Sequence, residues 1–266
     1  MHKLPRPLAR KETVNPYSFV ARQFLNRLRW DLDPLSWLSR REIKKWHNRY
    51  VGAKAVIVCN GPSLLKSDLS LLSGVFTFGL NKINLLYEKS DFRPSCIVAT
   101  ADPVIEQNAE FFNSTTTTLF LRNTGKRWVQ PRNNTIFFHI ADQYKFARDC
   151  SISLFGGGTV TFSAMQLAYH MGFKEVALIG ADHSYSRSGP SGELVSAGKT
   201  DPDHFDPSYF SGGVNWQLPE MFLWDFSYSL AKEIYELSGR KIINATEGGK
   251  LEIFPRESLK NFVSQV

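Results

Sequence analysis

From residue 55 onward, short apolar runs alternate with segments of helical periodicity. Ala55–Cys59 has the length and β-branched content of a strand, and it breaks into Asn60-Gly61-Pro62-Ser63 before a helical pattern over Leu64–Leu72. The same reading predicts strands over Val75–Gly79, Ser95–Thr100, Thr117–Leu121 and Ile136–His139, with helical pieces over Ile83–Tyr87 and Val104–Phe112. Phe155-Gly156-Gly157-Gly158-Thr159 then opens a long helix over Thr161–Met171, and Glu175–Gly180 is a buried strand running into Ala181-Asp182-His183-Ser184-Tyr185. Pro219–Ser238 predicts a further helix and Lys241–Asn244 the last strand. Strands alternating with helices of this length imply an α/β domain with a mostly parallel, doubly wound sheet. Between Ser186 and Leu218 the chain changes character. This stretch is rich in Gly, Ser, Pro and Asp and has no periodicity; it is too long for a connector and reads as an active-site lid.

In an open α/β sheet, ligands bind in the crevice beyond the carboxyl ends of the strands. Those ends carry Asn60-Gly61-Pro62-Ser63, Asn81, Asp102, Asp182 and Asn244-Ala245-Thr246. Gly61 would let the backbone approach a ligand closely or adopt positive φ, Pro62 suits the first turn of a helix, and Ser63 offers a hydroxyl and an amide. Such a turn suits a phosphate or a ribose. The glycines before Thr159, Gly157 and Gly158 among them, would leave amides free at a helix N-terminus for a phosphate or carboxylate. Each residue alone is as readily a cap or a turn residue, and their collection along one edge is what points to a ligand site. Neither a P-loop nor a dinucleotide G-x-G-x-x-G follows the first strand, which indicates a nucleotide held in another way.

Composition narrows the class. At 266 residues, 42% hydrophobic and 13% aromatic, the chain can bury a large core, which sets disorder aside. No run approaches the roughly 18 to 20 apolar residues of a membrane span, and the opening MHKLPRPLARKE lacks the apolar core of a secretory signal, so a cytoplasmic protein is expected. Cys59, Cys96 and Cys150 are odd in number and read as buried thiols.

The net charge of +7 is concentrated at one end: residues 1–54 hold 13 Lys and Arg against 4 Asp and Glu, and the remainder is slightly acidic. Residues 1–50 therefore read as a basic helical extension and 51–266 as the α/β domain, with its lid over 186–218. In the extension, Tyr17, Val20, Phe24 and Leu28 recur at helical spacing beside Arg22, Arg27 and Arg29; Leu35, Leu38, Trp46 and Tyr50 do so among Arg40, Arg41, Lys44 and Lys45. The pattern suits an amphipathic helix on an anionic membrane surface, peripheral to its inner face, or one packed on the domain with a solvated basic face; the packed arrangement is preferred. Nucleic acid is not expected as a partner, since no docking motif accompanies the charge. Self-association is left open.

Of the six histidines, His204 lies in the irregular segment beside Asp203 and Asp206, which would raise its basicity, and His183 in the Asp182 turn is the second candidate for proton transfer. Tyr185 and Tyr209 can donate to a phosphate. Asp31-Leu32-Asp33 and Asp201-Pro202-Asp203 do not follow a predicted strand, where a carboxylate pair could hold a metal at the ligand edge, so neither a metal nor another cofactor is expected.

Taken in order, CNGPSL at 59–64, the strand end at Asn81, GGGTVTFSAMQLAYHMGFKEVALIGADHSY at 156–185, HFDPSYF at 204–210 and INATEGG at 243–249 resemble the Maf/MptE-like family of bacterial motility-associated and polysaccharide-cluster proteins. More distantly they are similar to the family 42 bacterial sialyltransferases. The resemblance covers roughly residues 50–255 and implies a modified Rossmann sheet of the GT-A-like type. It also implies a CMP-activated nonulosonic acid as donor, a glycan or glycoprotein acceptor, and inverting, metal-independent transfer. By position it would set Asn60 and Ser63 on the nucleotide, Asn81 and Asp102 on the ribose and sugar region, Thr159 with its glycines on the cytidine or donor carboxylate, and His204 as the base. There are departures: Asp102-Pro103 stands where the sialyltransferases have Asn-Pro, Tyr185 is displaced by one residue, and Cys59 replaces a usual glycine. MptE itself is similar to an ATP-dependent pyrophosphokinase acting on a hydroxymethylpterin, which is the alternative activity. A non-catalytic sugar-nucleotide-binding protein is the second alternative.

Overall fold

The computed structural model describes residues 15–186 and 193–264. The chain enters through two helices, α1 (Pro16–Asp31) and α2 (Pro34–Lys44), each with proline in its first turn and an Asn15 or Asp33 side chain accepting a hydrogen bond from the second helical amide. A parallel sheet follows, built from β1 (Lys54–Val58), β2 (Phe76–Leu80), β3 (Cys96–Ala99), β4 (Thr118–Arg122) and β5 (Thr135–Phe138). Helices α3 (Asp102–Gln107) and α4 (Ala109–Ser114) link β3 to β4, and a short pair, β6 (Ile140–Ala141) with β7 (Leu154–Phe155), follows β5. Then come α5 (Val160–His170), β8 (Glu175–Ile179), an antiparallel pair of β9 (Leu194–Ser196) with β10 (Asn215–Gln217), α6 (Met221–Leu237), β11 (Lys241–Asn244) and α7 (Leu259–Ser264).

The described residues thus form a seven-stranded, wholly parallel sheet in the order β11-β8-β1-β2-β3-β4-β5. The chain winds outward in one direction from β1 to β5 and returns to β8 and β11 on the other side. The switch between β1 and β8 opens a crevice at the strands' carboxyl ends. Alternate side chains supply two cores: Ala55, Ile57 and Cys59 face α5 and α6, while Val56 and Val58 face the opposite layer. Helix α5 lies in the first layer, buried from Thr161 to His170, which is why VTFSAMQLAYH carries no charged stripe. Tyr235 of α6 donates its hydroxyl to Met165 O at 2.7 Å, fastening the two helices. All three cysteines are free and buried, and burial pushes the Cys59 thiol up to about 12.

Several expectations are corrected. The helix expected over 64–72 is two 3-10 turns, Pro62–Lys66 and Leu69–Leu72, because Asp68 accepts from both the amide and the hydroxyl of Ser70 and restarts the chain. Residues 83–86 likewise form a 3-10 turn. The helix expected over 104–112 divides at Asn108, whose buried side chain donates to Asn84 Oδ1 instead of continuing a helical face.

The packed reading of the N-terminal helices holds for α2 and only in part for α1, which meets the domain through Trp30, Arg27 and Gln23. Ile43 belongs to the core, with Trp46 and Tyr50 packed against it, whereas Tyr17, Val20, Phe24 and Leu28 are exposed and Trp30 is the one buried residue of α1. No described helix is long and apolar enough to cross a membrane.

The largest correction concerns the segment expected to be an irregular lid. Residues 187–192 lie outside the described residues, but Phe205, Tyr209, Phe210, Trp216 and Leu218 are buried in the second core. Aspartates fold this stretch. Asp201 accepts from the amides of Asp203 and Phe210, Asp203 accepts from the amide and hydroxyl of Ser186, and Asp206 accepts from Ser208 and Lys89. Among its described residues, 201–218 are packed into the domain and do not lie loose over it.

Candidate active site

A cleft of about 1260 Å³ opens at the carboxyl edge of the sheet. Most predicted site residues line it: Asn60, Gly61, Asn81, Gly157, Gly158, Thr159, Asp182, His183, Tyr185 and His204. Pro62, Ser63, Asp102 and Tyr209 do not.

The β1 turn is built on Asp182. Its Oδ2 accepts from the Ser63 hydroxyl at 2.6 Å and the Ser63 amide at 3.1 Å, so the two donors expected to meet a phosphate or ribose are used within the protein. Gly61 has φ of −70° and needs no left-handed backbone. It is required because a Cβ there would lie 2.0 Å from Asp182 Oδ2 and 2.7 Å from Gly180 O. Asn60 donates its side-chain amide to Leu80 O, while its buried Oδ1 is left without a partner. Asn81 stands at φ of 49° at the end of β2, and its buried Oδ1 is equally unpartnered. Two carboxamide oxygens thus lack a well-aligned partner at adjacent strand ends, in residues that line the cleft, with the Tyr209 hydroxyl against the Asn81 side chain.

Asp102 departs from its expected ribose contact. It sits in the first turn of α3 and accepts from the Thr124 hydroxyl. The glycine turn fits its expectation better. Gly157 and Gly158 both adopt positive φ, and their carbonyls accept from Ser227 Oγ and Trp224 Nε1 of α6. Among the described residues their own amides donate to no protein atom, and Thr159 caps α5.

His204 is held by a partner that composition did not indicate. Its Nδ1 donates to Asp201 Oδ2 at 2.7 Å, its ring stacks on Tyr209 with centroids 4.0 Å apart and planes 2° from parallel, and Phe210 meets it edge-on. Asp203 and Asp206, expected to tune it, bind Ser186 and Lys89 instead. Burial pushes the Asp201 carboxyl up, but the hydrogen bond and charge of His204 and the amides of Asp203 and Phe210 outweigh it, leaving it below the usual carboxylate range. With Nδ1 committed, Nε2 is the ring atom left for the cleft.

Tyr209 forms the floor beneath this ring. It is fully buried, its hydroxyl sits against Asn81 without a well-aligned bond, and burial holds its pKa high, so it supports the histidine rather than facing a leaving group. Tyr185 lines the cleft, with its ring 5.6 Å from that of Trp224, and is held protonated by burial. His183 is engaged elsewhere: its Nε2 donates to Asp225 Oδ1 of α6 at 2.7 Å.

Lys82 was not singled out by sequence and is 8% exposed. Its Nζ donates to Tyr209 O at 2.7 Å and Gln107 Oε1 at 2.8 Å, tying the histidine segment to the end of β2. Burial pulls its ammonium down to about 8, against the opposing pull of Asp201. Among the described residues no three His, Cys, Asp or Glu side chains gather as a metal site would need.

The fold and the cleft define a Rossmann-like α/β protein with a cleft at the carboxyl edge of a parallel sheet. Residues 34–188 match the family described as "6-hydroxymethylpterin diphosphokinase MptE-like", and the chain belongs to this MptE-like family. The fold is also similar to that of the Maf glycosyltransferase from Magnetospirillum magneticum AMB-1, with a TM-score of 0.51 and 15% sequence identity. That similarity covers 86% of this chain and 39% of the larger protein, so the chain spans well under half of its neighbour's length. No curated protein matches the chain.

Proposed function

We propose that this protein is a glycosyltransferase that moves a nonulosonic acid from a CMP-activated donor to a hydroxyl of a glycan or protein acceptor, with inversion. The observation that carries the reading is the Asp201–His204 pair, whose free Nε2 belongs to the cleft bounded by Asn60, Asn81 and the glycine turn. In the reaction, Nε2 takes the proton of the acceptor hydroxyl as its oxygen attacks the anomeric carbon. The bond from that carbon to the CMP phosphate breaks, and its electron pair leaves on the phosphate. The transition state is oxocarbenium-like and the leaving group is already good, so a base and donors to the phosphate suffice. Asp201 fixes the ring orientation and stabilises the imidazolium that forms. The open amides of Gly157 and Gly158 and the Tyr185 hydroxyl supply donors; the unpartnered oxygens of Asn60 and Asn81 supply acceptors for the ribose hydroxyls or the cytosine amino group.

A second reading, an ATP- and magnesium-dependent pyrophosphokinase acting on a hydroxymethylpterin, is favoured by the family match itself. The match ends at residue 188, before Asp201 and His204. Calorimetric titration with CMP, ADP, UDP and GDP, and with ATP plus magnesium, separates the two. The proposal expects saturable CMP binding and little response to the purine nucleotides; ATP binding with magnesium and silence toward CMP would replace it with the kinase reading.

A further inference from the structure

The cleft is larger than the roughly 300–1,000 Å³ typical of a site for one small ligand, which leaves room for a second substrate. Its far end is cationic. Arg22 and Arg29 project from α1 and Arg122 stands at the carboxyl end of β4, and all three line the cleft. None of their side chains has a hydrogen bond or ion pair with any described residue, and Arg122 Nε is buried without a partner. Other arginines in the same region are engaged: Arg27 binds Asp31 and the Ile152 carbonyl, and Arg40 binds Asp31. The carboxylate at this end, Asp142, accepts from Gln23. The buried Nε edge of Arg122, left unpaired beside two exposed guanidinium groups, calls for an anion, because it would otherwise carry its desolvation cost uncompensated.

The position of the cluster identifies whose anion it is. Asn60 ends β1, and β4 lies three strands away in the sheet order, roughly 14 Å at ~4.8 Å per strand. The unpartnered Asn60 and Asn81 oxygens follow β1 and β2, and the start of α5 after the glycine turn meets β1 through Thr161 and Cys59, so the donor's nucleotide and its own phosphate are assigned there. We infer that Arg22, Arg29 and Arg122 form a second anion subsite that takes a phosphate or diphosphate group carried by the acceptor. Guanidinium forks match phosphate oxygens two at a time, and three guanidinium groups lining one cleft suit a diphosphate better than a single carboxylate. The inference rests on the proposed transferase reading for the word acceptor, while the subsite itself stands on the arginines.

Titration of the full chain with inorganic pyrophosphate, with and without saturating CMP, tests it. Pyrophosphate is expected to bind in both conditions, to weaken steeply between 50 and 200 mM salt, and to lose tenfold or more in affinity in R122Q and in R22Q, the latter an exposed change that leaves the fold intact. CMP affinity is expected to stay within twofold in both variants. Absence of pyrophosphate binding, unchanged binding in both variants, or displacement by CMP would overturn the inference; displacement would assign the arginines to the donor phosphate. Failure of CMP to bind, with the pyrophosphate response intact and lost in the variants, would remove the donor reading and leave the subsite standing.

Discussion

Lys82 couples pH to the stability of the histidine segment. The usual lysine pKa is 10.5, and burial lowers it here to about 8. Between those values the unfolded chain holds a proton that the folded chain has released, so stability rises with pH across the window from 8 to 10.5. From pH 7 to 10 the linkage amounts to at most about 2.5 kcal/mol; because the acceptor Gln107 is exposed and solvent screens that end, about 1 to 2 kcal/mol is expected. The perturbation is Lys82→Met, read by urea unfolding at pH 7, 8, 9 and 10. The variant loses two hydrogen bonds and is less stable throughout, so the informative quantity is the pH dependence of the wild-type minus variant difference. Buried thiols such as Cys59, which bind protons more tightly when folded and so lower stability above pH 9, cancel in that difference. The difference should grow by about 1 to 2 kcal/mol from pH 7 to 10. A flat difference would mean that Lys82 is solvated and does not clamp the Tyr209 carbonyl from a dry site.

Two substitutions test how the cleft is assembled. Gly61→Ala drives a methyl group into the Asp182 carboxylate and the Gly180 carbonyl, and should cost about 1 to 3 kcal/mol in chemical denaturation while weakening nucleotide binding; a neutral result would show that the Ser63–Asp182 clasp is not rigid. Asp201→Asn removes the charge that orients His204 and should lower turnover by roughly 10² to 10⁴ with CMP affinity nearly unchanged; a loss confined to binding would contradict the positioning role.

How much of this was legible in the sequence follows from the kind of force that builds each part. The sheet was, because its parallel strands are buried on both faces and read as short apolar runs: Lys54–Val58, Glu175–Ile179 and Lys241–Asn244 fall within a residue of their expected spans. Strand ends follow from strands, so Asn60, Asn81 and the glycine turn were found with them. The 201–210 segment was not legible, because it is shaped by aspartates binding backbone amides, and such bonds leave no periodicity. Asp201 was noticed only as half of an Asp-x-Asp triplet, yet the spacing that matters is Asp201 to His204, the i,i+3 pair. Asp102 and Ser63 misled for the opposite reason: each is a polar residue at a strand end, but Thr124 and Asp182 satisfy them inside the protein. The cationic end of the cleft depends on α1 lying across from β4, a tertiary placement that charge counting along the N-terminus does not contain.

The central claim is that His204 acts as the base toward a CMP-activated donor bound in this cleft. CMP release from CMP-N-acetylneuraminic acid by the wild type and by His204→Ala, measured beside calorimetric CMP affinity for each, tests it most directly. The account predicts turnover lowered by roughly 10² to 10⁴ in the variant with CMP affinity held within about twofold. Near-normal turnover in His204→Ala, or turnover of ATP with magnesium and none of the CMP-sugar, would contradict it.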